Sequence, residues 1–161
     1  MRGNILDLFY LAGFTFLLAI LILISSLINS SFQTQAASVM NTSIMDYSGT
    51  AINMFDFGLV FIFVCLGLAS FVGAFFIDAH PIFFIVCVVL MIVTVLVGAV
   101  LSNVFNQFIT TSGAIGTQAN SFPLMVNLMA NLPIVLFFMG LIIMIAWLSK
   151  GRKMTGGTGG Y

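Results

Sequence analysis

The chain has 161 residues, 61% of them hydrophobic and 5% charged, with four basic and four acidic side chains and zero formal net charge. An ordinary soluble domain carries about 25% charged residues, and the mean hydropathy here is +1.25, which excludes a solvated globular domain. The cluster Lys150, Arg152 and Lys153 has too few charges to bind nucleic acid by counterion release.

The charges are also segregated, leaving apolar stretches long enough to cross a lipid bilayer, which takes roughly 20 residues as a helix. These runs are continuous rather than alternating, which predicts helices and not a barrel. The expected fold is an all-α, polytopic membrane protein. Four transmembrane helices, at about 5–28, 57–77, 82–105 and 133–148, form one domain over 1–149 with a central helical hairpin.

The first span follows Arg2 and contains Asp7 near its start, a boundary position that suits a carboxylate at a helix N-terminus. Tyr10 lies close to where an interfacial aromatic is expected. Small residues at Ala36 and Ala37 suggest a cleavage site, but the apolar stretch exceeds the roughly 7 to 15 residues of a signal peptide. A retained helix is expected.

The outer segment 30–56, containing "NSSFQTQAASVMNTSIMDYSGTAIN", is rich in hydroxyl and amide side chains and has no Lys or Arg. Its scattered apolar residues suggest a lid on the bundle or a contact with other subunits. Asn29 and Asn41 fit the three-residue acceptor pattern for glycosylation. Asp56, in "NMFDFG", is expected to mark the boundary of the second span and to stay at headgroup level.

Ala69 and Gly73, with Ser70 and Ala74 beside them, put small residues at i and i+4 on the second span; Thr94, Gly98 and Ser102 do so on the third. Such stripes let helices approach closely where hydrophobicity cannot drive their association. Between these spans lies "DAHP". Pro81 suits the first turn of a helix, Asp78 can cap it, and His80 completes a tight cytoplasmic turn. A proton relay or metal site would need partners for Asp78 and His80, yet the chain has a single His and no Glu. Cys65 and Cys87 differ in depth by roughly 9 Å along the hairpin, too far for a disulfide within it, and read as small core residues, with a bridge between chains as the alternative.

The second outer segment, 106–132, ends in "SFPLMVNLMANLP". Its apolar residues suit either a short interfacial helix or an extension of the fourth helix through a kink at Pro133. Trp147 sits near the far end of the fourth span as an interfacial anchor. The tail 150–161 combines Lys150, Arg152 and Lys153 with glycines and Tyr161, suited to contact with anionic lipid or a protein partner.

All four basic residues lie near the termini, so the positive-inside rule places both termini and residues 78–80 on the cytoplasmic side, with 30–56 and 106–132 opposite. An even number of spans agrees. No phosphate loop, metal-ligand pairing or nucleophile triad occurs, so neither an enzyme nor a cofactor is expected.

The run "FFIDAHPIFFIVCVVLMIVTVLVGAVLSNVF", with the glycine-rich tail, resembles small membrane proteins of tailless icosahedral viruses that enclose a membrane beneath the capsid. The resemblance implies a structural virion role: organising the internal membrane and linking it to the capsid. The partners would then be the bilayer and homo- or hetero-oligomeric membrane and capsid proteins, without specific nucleic acid. The alternative is a holin-like oligomer or other membrane-permeabilising channel protein. A pore needs a polar stripe through a whole helix, and the second and fourth spans are almost uninterruptedly apolar.

Overall fold

A computed structural model describes residues 5–36, 42–76 and 81–155. These residues are almost wholly helical, and no strand occurs among them. The elements are α1 (Ile5–Ala36), α2 (Thr42–Phe75), α3 (Pro81–Thr111), α4 (Gly113–Ala119), α5 (Pro123–Ala130) and α6 (Leu132–Thr155). Three helices, α1, α2 and α3, are each long and apolar enough to cross a membrane; the count reaches four if α5 and α6, bent by 67° at their break, form one span.

The long helices exceed the apolar runs. α1 continues through Ala36 and α2 begins at Thr42, so much of segment 30–56 is helix. The hydroxyl residues are accommodated by bonding back to the preceding turn. Thr34 donates to the Ser30 carbonyl, Thr50 to Asp46, Thr110 to Asn106 and Thr117 to Gly113, at 2.8–2.9 Å. α3 likewise continues through Thr111.

Buried positions recur at three- and four-residue spacing, the signature of a helix packed along one seam. On α1 they include Ile5, Leu8, Ala12, Thr15, Ala19, Leu23 and Ser26; on α2 they are Asp56, Leu59, Phe63, Gly67, Ser70 and Ala74. The opposite faces expose large apolar side chains such as Leu17, Phe61, Leu96 and Val100. Only 22% of the most apolar stretch of α3 is buried, so most of that stretch presents its apolar side chains outward.

The chain divides into two compact units. The first comprises Met1–Gly13, Val64–Val100 and Leu132–Tyr161. Its helices are keyed together at glycines. The Met139 side chain occupies the place a Cβ on Gly67 would take. At Gly98 an added Cβ would lie 2.6 Å from Leu136 Cδ1, and at Gly140 2.9 Å from Met91 Cγ. Each glycine is thus a hole filled by a long side chain from a neighbouring helix.

The second unit comprises Phe14–Phe63 and Leu101–Asn131. Its core holds Ala19, Leu23, Leu59, Phe63 and Phe105, joined by Phe122, Met125 and Met129 from the region of α5. The short helices α4 and α5 are therefore part of a packed body.

Candidate functional site

The second unit buries a carboxylate, Asp56, which is only 5% exposed. It lies within α2, seven residues before Phe63 and fourteen before Ser70, and so shares their buried seam. A carboxylate there must be compensated, because an unpaired buried charge costs several kcal/mol. The compensation comes from α5.

Helix α5 starts without a cap of its own: Phe122 stands at the N-cap position and has no side-chain hydrogen bond to give. Pro123 follows, its fixed φ suited to a first helical turn and its missing N–H no loss there. The next two amides donate to Asp56, Leu124 N–H to Oδ2 at 3.1 Å and Met125 N–H to Oδ1 at 2.6 Å. Asp56 is thus an N-cap supplied from another helix. Its negative charge also faces the positive end of the α5 dipole.

Two further polar clusters lie in the same unit. Ser26 donates to Gln118 Oε1 at 2.7 Å, and Gln118 Nε2 donates to Ser30 Oγ at 3.1 Å, so both ends of one carboxamide tie α4 to α1. Gln33 Nε2 donates to Ser48 Oγ, which donates to Asn29 Oδ1, each at 3.1 Å, joining α1 to α2. These polar groups satisfy one another. The arrangement can fix short helices in place, and it offers no activated nucleophile. Among the described residues, no group of three or more His, Cys, Asp or Glu is placed to hold a metal ion.

The residues singled out in the sequence fall as follows. Thr94 and Gly98 are buried on α3, and the Thr94 hydroxyl donates to the Leu90 carbonyl at 2.8 Å. Ser102 donates to the Ala130 carbonyl at 3.1 Å, linking α3 to α5. On α2, Ala69 is exposed and Gly73 half-buried; the inward face runs through Gly67, Ser70 and Ala74, one position away. Cys87 is buried, whereas Cys65 is exposed because it falls on the outer face of α2. Asp7 occupies the first turn of α1.

Pro81 is the first residue of α3, while Asp78 and His80 lie outside the described residues. Lys150, Arg152 and Lys153 fall within α6, which continues helical through Thr155; the glycine-rich end, 156–161, lies outside the described residues. The break before α6 is at Asn131, two residues ahead of Pro133.

Asp56 is therefore not merely a marker ahead of a span that starts at 57. It belongs to the interior of a helix and caps another. The sequence holds two clues to this role: the seven-residue register with Phe63, and a Phe-Pro helix start lacking a capping side chain. Neither identifies the partner alone. No clue of that kind marks Gln118, whose two bonds cross from α4 to α1. No known protein family, curated protein or solved structure matches this chain.

Proposed function

We propose that the chain is a polytopic integral membrane protein with four spans, α5 and α6 together forming the last, and both termini on the cytoplasmic side. Its role is structural, organising a membrane and linking it to a protein assembly. The assembly proposed is the internal membrane and capsid of a virus, the setting suggested by the resemblance of residues 75–105.

The observation that carries the structural reading is how four of the five buried polar side chains among the described residues are used. Asp56 is spent on α5, Ser26 on Gln118 and Thr94 on its own helix, while Thr15 is also engaged. A conducting oligomer needs polar side chains facing a lumen along a whole helix. Here the outward faces of the long helices carry side chains such as Leu17, Leu21, Phe61, Leu68, Leu96 and Val100, which suit lipid. The basic residues of α6 suit attachment to a shell on the cytoplasmic side.

The test is a mass spectrum of purified particles or of the complex extracted in mild detergent. A structural component is expected at a fixed stoichiometry with a shell or membrane protein. Absence from particles, together with solute leakage from vesicles containing the pure chain, would instead assign it to membrane permeabilisation.

A further inference from the structure

Within the second unit, α3, α4 and α5 border an open groove of about 550 Å³, a size within the range of ligand sites. Ile109 contributes from the last turn of α3, Gly116, Ala119 and Asn120 from α4 and its C-cap, and Val126 and Asn127 from α5. No charged side chain lines it.

The walls are held by specific contacts. A Cβ on Gly116 would lie 2.6 Å from the Ile109 carbonyl oxygen, so glycine is what lets α4 approach α3. Asp56 fixes one end of α5, and the Ser102 bond to the Ala130 carbonyl fixes the other. Met125 and Met129, buried on the other side of α5, set which face meets the groove.

Two carboxamides are left with hydrogen-bonding capacity. Asn131 Nδ2 donates both to the Asn127 carbonyl at 2.9 Å and to Asn127 Oδ1 at 2.8 Å. The bond to a carbonyl fixes that nitrogen as a donor, so Asn127 must turn its oxygen to it and keep its own NH₂ free. Asn120 is exposed at the C-terminus of α4. Both therefore offer N–H groups to an acceptor.

The level of the groove indicates its occupant. Ile109 is two residues from the end of the candidate span Phe84–Thr111, a helix of 28 residues. Such a helix is about 42 Å long, against a hydrocarbon core of about 30 Å, so its end stands among headgroups and ester carbonyls. We propose that the groove holds the glycerol ester segment and upper acyl chain of one membrane glycerolipid. Asn120 and Asn127 donate to ester carbonyl oxygens, and the chain lies along Ile109, Ala119 and Val126. Because the lining is neutral, binding does not depend on headgroup charge. This rests on the reading of the protein as an integral membrane protein.

The test uses the full chain reconstituted in vesicles of equal parts phosphatidylcholine and phosphatidylglycerol, extracted in mild detergent, with retained lipid counted by native mass spectrometry. One glycerolipid per chain is expected, with the two headgroups equally represented. Val126→Trp, which fills the groove, should abolish retention, while Leu17→Trp on an exposed face should not. Asn127→Asp keeps the acceptor for Asn131 but removes the donor, and should lower occupancy about tenfold. Circular dichroism should show unchanged helix content in each variant.

Equal retention in wild type and Val126→Trp would overturn the site, as would no retained lipid or a strong preference for phosphatidylglycerol. A Val126→Trp change in oligomeric state with unchanged lipid would assign the groove to a second copy and also overturn it. Release of the chain from membranes by alkaline carbonate would defeat the integral membrane reading itself, an outcome distinct from failure of the groove.

Discussion

Asp56 shows how one side chain can decide the placement of a helix. Its carboxylate accepts two amides at the start of α5, where Phe122 supplies no cap. Asp56→Ala leaves those amides without a partner in a buried place, and should cost about 2 kcal/mol of stability. Asp56→Asn, which keeps one acceptor but opposes an NH₂ to the other amide, should cost less than the alanine change; denaturant unfolding in mild detergent measures both. His80→Ala, in contrast, should leave membrane integrity and assembly intact, because the histidine is read as part of a turn; recovery of assembled complexes from the variant checks this. The carboxylate itself was legible in the sequence as a charge beside an apolar run. Its burial was not, because burial depends on α2 extending back to Thr42, and its partner lies 68 residues away in α5.

At the scale of the element, glycines separate into two kinds. Gly67, Gly98 and Gly140 receive side chains from neighbouring helices, whereas Gly13 and Gly58 meet nothing within 4 Å. Gly98→Leu or Gly140→Leu should destabilise by about 2 kcal/mol or more through overpacking. Gly58→Ala should stabilise by up to about 1 kcal/mol, since it relieves the helix of glycine's backbone entropy without a clash. Thermal unfolding of the three variants in one detergent orders them directly. Sequence spacing pointed to an α3 stripe of Thr94, Gly98 and Ser102, of which Thr94 and Gly98 are buried and Ser102 is half-buried. On α2 small residues occupy adjacent positions, so composition alone could not say that the inward face passes through Ser70 and Ala74 rather than Ala69 and Gly73. The helices run past the expected spans for a related reason. Ser, Thr, Asn and Gln look like loop residues, yet their side chains bond to the helix itself or to one another.

For the whole molecule, apolar run length made the helical architecture legible, while the last crossing depends on how α5 and α6 are counted. Their 67° bend leaves three straight candidates and one broken one. Pro133 contributes to the break by lacking an amide and crowding the preceding turn, and Asp56 holds α5 at its other end. If the pair crosses as one span, both termini share a side, in keeping with Arg2 at one end and Lys150, Arg152 and Lys153 at the other. The most direct measurement is thiol labelling of sealed cells carrying Gly113→Cys or Met154→Cys, each in a background without Cys65 and Cys87. The account predicts that Gly113→Cys reacts with an impermeant reagent added outside, and Met154→Cys only after the membrane is opened. Labelling of both positions from the same side would contradict the four-span topology.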